Sequence, residues 1–422
     1  MPESKVAVSS LCDPSLAPEG HLKIEWASRH MPVLNEIRRE FERDRPFAGK
    51  RVAICLHMEA KTAYLCEVMA AGGAEVYACG SNPLSTQDDV CAALAEDGVT
   101  IHAWHNATHD EYFSHINKVI DARPDLLHDD GGDLVTALHS TRTAEAAGII
   151  CGSEETTTGV IRLRAMERDG VLRFPMLAVN DAQMKHFFDN RYGTGQAAWD
   201  GIIRTTNLTV AGSTVVVAGY GYCGKGVSTR AKGLGARRVI VTEVNAVRAN
   251  EALMDGFDVM PMLEAVKYAD FLVTTTGCEG IVRGEHLGAI KAGCILANAG
   301  HFDSEISKSA LANLAAGPRR VRKNIDEYAF PDGRRVYLLG EGRLVNLACA
   351  DGHPAEIMDT SFAVLALTLR YGLEQAGRLP KQVINVSEEI DRRVAEARLR
   401  AVGVAIDRLT PEQERYLNSW QL

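Results

Sequence analysis

One stretch decides most of what this chain can fold into: Val215-Val-Val-Ala-Gly219-Tyr-Gly221-Tyr-Cys-Gly224-Lys-Gly226. Three consecutive β-branched residues read as a strand buried on both faces. The glycines that follow are spaced G-x-G-x-x-G and open a helix. Gly219 allows a tight turn, Gly221 lets backbone approach a pyrophosphate, and Gly224 lets the helix pack against the strand. The free N–H groups and partial positive charge at the start of that helix suit phosphate. Alone, such a fingerprint is weak, because an ordinary Gly-rich turn in an α/β sheet imitates it. Here a second run, Arg238-Val-Ile-Val-Thr242, ends in Glu243. That is about 20 residues past the fingerprint, where an acid that holds ribose hydroxyls belongs. A carboxylate there suits NAD and repels the extra phosphate of NADP. Arg248, just beyond, argues the other way and is outweighed.

The same alternation of strand and helix patterns runs through the N-terminal half. Arg51–Leu56 reads as a strand, 60–71 as a helix and 75–79 as a strand. Further units follow near 99–121, 125–147 and 148–167, and another strand over Met176–Val179. Alternation of this kind means parallel sheets. Residues 182–207 read as a helical connection, Leu22–Glu42 as one amphipathic helix, 1–20 as a loose arm and Pro318–Arg335 as a polar, charge-rich stretch. The second sheet continues through Phe271–Thr276 and Cys294–Asn298. Helices return near 355–376, 386–400 and 410–422. The expected fold is therefore α/β, with two Rossmann-like domains. A substrate-binding domain takes 1–181 and 352–385, the NAD domain is inserted as 190–350, and 386–422 forms a C-terminal helical segment for oligomerisation. Hinges fall near 181–190 and 351–356, with the site in the cleft between domains.

Composition excludes several alternatives. A net charge of −9, with no long basic run, gives no support to nucleic-acid binding. No stretch of about 18 apolar residues offers a membrane span, and Met-Pro-Glu-Ser-Lys has no signal-peptide core. The ten cysteines lack CxxC or zinc spacing, so no metal is expected and free thiols in a reducing cytoplasm are.

Six polar clusters sit at strand ends or loop tips, where α/β proteins place function. They are His57-Met-Glu59-Ala-Lys61, His128-Asp-Asp130-Gly-Gly-Asp133, Ser153-Glu-Glu155-Thr156-Thr157-Thr158-Gly159, Asn180-Asp181 with Lys185 and Asp189-Asn190, Asn298-Ala-Gly-His301-Phe-Asp303, and Asn346 through Asp351-Gly-His353-Pro354. Each has a plainer reading: Ser153 with Glu154 and Glu155 as a helix cap, Asp129-Asp130-Gly-Gly as a turn, a single histidine as core. Six together in a chain that binds NAD favour a catalytic cleft.

Over nearly its whole length the sequence resembles the S-adenosylhomocysteine hydrolase family, in its short-tailed prokaryotic form. The resemblance is carried by Cys-Leu-His57-Met, Ser85-Thr-Gln-Asp88, Asp129-Asp-Gly-Gly-Asp133, Ser153-Glu-Glu-Thr-Thr-Thr-Gly159, Phe188-Asp-Asn190, Val217-Ala-Gly-Tyr-Gly221, Thr274-Thr-Thr-Gly-Cys278, Gly300-His-Phe-Asp303, Glu341-Gly-Arg-Leu-Val-Asn346 and Gly352-His-Pro354. It implies reversible hydrolysis of S-adenosyl-L-homocysteine to adenosine and L-homocysteine. The route is 3′-oxidation by tightly held NAD, elimination, water addition and re-reduction, so NAD is not consumed. It implies that Lys185 and Asp189, with Asn190 alongside, handle the 3′-hydroxyl proton, Lys185 having a lowered pKa that suits a base. His57 and Asp130 are the implied acid/base pair near the 4′ and 5′ carbons, Glu155 binds ribose hydroxyls, and His301 and His353 line the site. Thr156, Thr157 and Thr158 reach to NAD, Thr276 and Asn346 hold its nicotinamide side, and Glu243 its adenosine ribose. A cytoplasmic homotetramer is implied.

Three departures qualify the resemblance. Where the family usually has a Thr and, two residues on, a Glu that reads adenine, this chain has Glu59 and Lys61. An ammonium cannot accept from adenine's amino group but donates to a 6-oxo group. Asp351 also stands where a Met is usual near the base. S-inosyl-L-homocysteine, giving inosine, is therefore the alternative substrate, with Glu59 the remaining group for an adenine. Secondly, Tyr222 and Asn245 replace common acids. Thirdly, the chain stops at Trp420-Gln-Leu422 without the family's Lys-and-Tyr tail, which implies easier NAD exchange. A non-catalytic NAD-binding relative is disfavoured by the intact set His57, Asp130, Glu155, Lys185, Asp189 and His301. An ordinary dehydrogenase would accumulate NADH.

Overall fold

The computed structural model describes residues 8–420. In the first half the strands are β1 (Arg51–Leu56), β2 (Glu75–Gly80), β3 (Thr100–His102), β4 (Leu126–Asp129), β5 (Cys151–Glu154) and β6 (Met176–Ala178). The second half adds β7 (Thr214–Ala218), β8 (Arg238–Thr242), β9 (Asp258–Val259), β10 (Phe271–Thr274), β11 (Ile295–Asn298), β12 (Ala316–Arg322), β13 (Ile325–Ala329), β14 (Arg335–Leu339) and β15 (Val383–Asn385). Two sheets result. The first has the order β15-β6-β5-β4-β1-β2-β3, the second β12-β13-β14-β11-β10-β7-β8-β9. All pairings in the first are parallel. The second is parallel from β14 to β9 and ends in an antiparallel β12–β13–β14 edge.

Strands such as β4 and β7 are buried throughout, which is why they read as unbroken apolar runs: helices cover both faces. Strand order reverses between β1 and β4 in the first sheet and between β7 and β10 in the second. Crevices open at such points beyond the carboxyl ends of strands, and the two crevices face each other here.

The helix Ala355–Glu374 lies against the first sheet, almost entirely buried from Asp359 to Leu369. Asp359 accepts hydrogen bonds from the N–H groups of Val33 (3.0 Å) and Leu34 (2.7 Å), and so caps the helix Pro32–Asp44. The expected single helix over Leu22–Glu42 is two, Ala17–Arg29 and Pro32–Asp44, because Pro32 belongs at a helix start and not in an interior. Of the expected arm over 1–20, residues 1–7 lie outside the described residues, as do Gln421 and Leu422. The helix Glu388–Ala401 packs Ile390, Val394 and Ala397 into the first sheet's own core. Residues 402–420 are exposed, including the helix Pro411–Leu417.

Two further expectations change. The polar 318–335 stretch forms most of β12 and β13. Its charges pair across the strands, Arg319 with Glu327 and Arg320 with Asp326, so polarity here marks a solvated edge and not a loop. The 182–207 connection is not one regular helix. Gln183–Lys185 leads into π-helical turns over His186–Gly193 and then the α-helix Thr194–Thr206. Among the described residues no helix is long and apolar enough to cross a membrane.

Candidate active site

A cavity of about 1400 Å³ lies between the two sheets. Its first wall is built from the ends of β1, β4 and β5. His57 follows β1, and its Nδ1 lies 2.6 Å from Ser85 Oγ and its Nε2 3.1 Å from Asp130 Oδ2. Asp130, beyond β4, also accepts from Ser81 Oγ at 3.0 Å. From the second sheet's loop, His301 brings Nδ1 to 3.7 Å from Asp130 Oδ1. Gly131 makes that approach possible: a Cβ there would sit 2.2 Å from His301 Nε2. Ligand atoms of His57, Asp130 and His301 fall within 4.8 Å of one another, close enough to share a proton or hold one cation. Burial pushes the His57 pKa down, more than the nearby Asp130 carboxylate pulls it up, so His57 favours the neutral form.

Lys185 and the π-helical turns build the second group. A π-bulge rotates successive side chains off the α-helical register, and here Lys185, Asp189 and Asn190 all turn inward. Lys185 Nζ donates to Asn190 Oδ1 at 2.8 Å and lies 3.3 Å from both Glu155 Oε1 and Asp189 Oδ2. Asp189 accepts from Ser361 Oγ at 2.9 Å and pairs with His353 Nδ1 at 2.8 Å. Asn190 Nδ2 donates to Asn180 Oδ1 at 3.0 Å, which also accepts from Thr157 Oγ1 at 3.1 Å.

The expected lowering of the Lys185 pKa is not what this arrangement produces. Burial opposes the ammonium, but Asp189, Glu155 and Asp130 outweigh it and raise the pKa. Asp189 shows the converse: burial opposes its charge, and Lys185 and His353 overcome this and hold it well below the usual carboxylate range. Glu155 loses to burial and is pushed up to about 8, with Lys185 only partly offsetting. At neutral pH the cluster is thus an ammonium, a carboxylate and a carboxylic acid.

Glu59 and Lys61 form a third group. Glu59 caps the helix Ala60–Ala71, accepting from Lys61 N at 3.1 Å, Thr62 N at 3.3 Å and Thr62 Oγ1 at 3.4 Å. Its Oε2 also meets Lys61 Nζ at 2.6 Å. The Glu59 oxygens are therefore spent on the protein. Lys61 Nζ donates in addition to the Asp351 carbonyl at 2.8 Å and has one N–H left; the residue lines the cavity. The Asp351 carboxylate does not face the base position. It is 79% exposed and pairs with Arg204 at 2.9 Å, because the chain turns at Gly352 (φ +76°) and sends the side chain outward.

The second sheet supplies the opposite wall. Gly219 has φ +95°, and a Cβ on Gly224 would lie 2.0 Å from the Gly219 carbonyl, so the fingerprint glycines meet the needs that their spacing suggests. Gly221 precedes the first turn of the helix Tyr222–Gly233. Glu243 follows β8 and accepts from the backbone N–H of Tyr220 (2.8 Å), Val244 (2.7 Å) and Asn245 (2.9 Å), which braces the Gly-rich turn. Arg248 is exposed and lines this end of the cavity. Thr276 donates from N and Oγ1 to Glu305, as does Gly277 N. A Cβ on Gly277 would lie 3.1 Å from Thr158 Oγ1, so the threonine stretch does reach across the cleft. Thr156 caps the helix Thr157–Arg168.

The matches to known proteins agree with these walls. Residues 190–352 match the model described as S-adenosyl-L-homocysteine hydrolase, NAD binding domain, and residues 9–150 match S-adenosyl-L-homocysteine hydrolase. An adenosylhomocysteinase from Pyrococcus abyssi is 56% identical, over 97% of this chain and 97% of its own. The chain belongs to the S-adenosyl-L-homocysteine hydrolase family. An S-inosyl-L-homocysteine hydrolase from Methanococcus maripaludis is 54% identical, over 98% of this chain and 99% of its own. NAD is the cofactor of this family member. The residues present fit it. Beyond the glycine cradle, Asn346 Oδ1 is buried with no hydrogen-bond partner among the described residues, while Asn346 Nδ2 is engaged with His353 Nε2 at 3.2 Å. A free acceptor suits the nicotinamide carboxamide.

Sequence reasoning missed three groups. Glu305 is buried and braces the Thr276 loop. Arg162 donates to the Gly131 carbonyl (2.9 Å) and Asp133 (2.7 Å) and lies 4.7 Å from the centre of the Phe302 ring, a contact across the cleft. Ser361 orients Asp189. None lies in a glycine- or histidine-rich signal.

Proposed function

We propose that this chain catalyses reversible hydrolysis of S-adenosyl-L-homocysteine to adenosine and L-homocysteine. The observation that carries the reading is the closed Lys185–Glu155–Asp189 cluster facing the Gly219 wall. A thioether is a poor leaving group, and a neighbouring carbonyl supplies the electron sink that expels it. When bound, NAD supplies a reversible two-electron oxidation of the sugar 3′ carbon, held by Gly219, Gly221, Gly224, Glu243, Arg248, Thr276, Asn346 and Thr156–Thr158.

Lys185 takes the 3′-hydroxyl proton once its own has moved. Asp189, the ionised carboxyl 3.3 Å from Nζ, is the neighbour that takes that proton, since Glu155, pushed up to about 8, already carries one; positive charge entering the cleft weakens the ammonium's hold. Asn190 keeps the Lys185 side chain in place, and Glu155 orients the ribose hydroxyls. Neutral His57 with Asp130 removes the 4′ proton, made acidic by the 3′ ketone, and protonates the leaving sulfur; His301 closes over the pair. His353 aligns Asp189.

A second reading, S-inosyl-L-homocysteine as substrate, is favoured by Lys61: the one free polar group of the Glu59–Lys61 pair is a donor, which matches a 6-oxo purine. We assign 1–181 with 352–385 to the substrate domain and 190–350 to the NAD domain. The exposed 402–420 segment supports the 386–422 reading as oligomerisation surface in a homotetramer, which solution mass measurement tests. Ten unpaired cysteines support a reducing, cytoplasmic setting. The deciding experiment measures homocysteine release by a thiol reagent from the two nucleosyl thioethers in parallel, S-adenosyl- and S-inosyl-L-homocysteine, with NAD-loaded enzyme. Release from neither, or stoichiometric NADH accumulation, overturns the proposal.

A further inference from the structure

Glu154 is the acid of the Ser153-Glu-Glu155 run that the proposed chemistry leaves unused. It is the last residue of β5 and the direct register partner of Asp129, the last residue of β4. Both are 0% exposed. The loops that leave these two strands carry Asp130 and Glu155. A single oxygen of Glu154 reaches both loops: Oε1 accepts from Gly131 N at 2.8 Å, Thr156 N at 3.0 Å and Thr156 Oγ1 at 2.8 Å. Asp129 adds a parallel brace, accepting from Asp130 N at 3.0 Å and Val135 N at 2.8 Å, while its carbonyl accepts from Glu155 N at 3.0 Å.

We infer that Glu154, in its acid form, is a positioning residue that holds the Asp130 loop and the Glu155 loop in register through one shared oxygen. The acid form follows from the surroundings. Two carboxyls lie side by side in a closed interior, and no ion pair to either is found among the described residues. Glu154 Oε2 has no hydrogen-bond partner there. An ionised pair without a cation is far costlier than a neutral one. Burial and the Asp129 charge both push the Glu154 carboxyl well above the usual range, and burial lifts Asp129 to about 7. The role is geometric. Three donors that belong to two different strand-end loops converge on one atom, so any displacement of Glu154 moves both loops.

The inference rests on the proposed roles of Asp130 and Glu155, but one arm of its test does not. The full-length, NAD-loaded enzyme is compared with Glu154→Gln, which keeps the carbonyl acceptor and no charge, and Glu154→Met, which keeps the bulk and loses the acceptor. Amide hydrogen exchange over 129–135 and 154–158 reads the loops directly. The Gln variant is expected to keep wild-type protection, kcat and pH profile. The Met variant is expected to lose protection in both loops at unchanged bound NAD, and kcat by about 100-fold, the scale of a small misplacement of reacting groups. A Met variant with normal exchange and kcat overturns the inference. So does a Gln variant with a shifted pH profile, which would mean that Glu154 works as a carboxylate. If the proposed reaction is itself wrong, the wild type is inactive while the exchange arm still decides.

Discussion

Replacing Lys61 by Met tests the proposal that its ammonium reads the purine 6-position. Its ammonium has three donors. One is spent on Glu59 Oε2 at 2.6 Å and one on the Asp351 carbonyl at 2.8 Å, leaving one for the base in the proposed reading. A hydrogen bond to a charged donor contributes about 1.5–3 kcal/mol, so its loss is worth about 10- to 150-fold in the relative kcat/KM of a substrate that uses it. The expected outcome is a fall of that size in the inosyl-to-adenosyl ratio, read as homocysteine release from each substrate. Using the ratio cancels general damage, which is expected. Breaking a buried ion pair typically costs about 3–5 kcal/mol of stability, and the value belongs at the low end because two N–H groups and the Thr62 hydroxyl stay on Glu59. A thermal melt measures that separately. Equal loss on both substrates would refute the reasoning, since it would place the third donor away from the 6-position.

Two other substitutions test the site and the scaffold. Lys185→Met is expected to lower kcat by about 100- to 10,000-fold, the span of general acid–base catalysis, with NAD still bound when the protein is denatured and its nucleotide counted; near-normal turnover refutes the role. Asp359 is lifted by burial to about 6. A carboxyl raised in the fold contributes stability that is fully present below about pH 4 and is lost as pH rises through about 6. Across that window the wild type is expected to lose on the order of 3 kcal/mol relative to Asp359→Asn, in urea unfolding at pH 4 and pH 7; parallel curves for the two proteins refute it.

The strands and their order of appearance were legible because parallel sheets covered on both faces demand unbroken apolar runs, as in Val215–Val217. The glycine cradle was legible because Gly219 and Gly224 answer to backbone geometry that no other residue meets. The His57, Asp130, Lys185 and His301 constellation was visible as chemistry at strand ends. What sequence did not show depends on long-range partners. The π-helical turns at His186–Gly193 have no periodic signature in eight residues. The β12–β13 pairing became readable only once Arg319 met Glu327. The Lys185 pKa reversed because three acidic side chains gather around it, Asp189 from its own segment and Glu155 and Asp130 from the ends of other strands. Asp351 looked like a base contact by its position, yet the backbone turn at Gly352 sends its carboxylate to Arg204.

The placement of β15 has a bearing on how the molecule is made. It pairs with β6 in parallel register, Val383 with Met176, so the first sheet is closed by residues that leave the ribosome after the entire second sheet. Until then β6 is a bare outer strand, the kind of edge that invites wrong pairing. His353 and Ser361, which hold Asp189, arrive equally late. In a nascent chain, therefore, every strand of the second sheet has been synthesised before the Lys185–Asp189 cluster receives its last two partners.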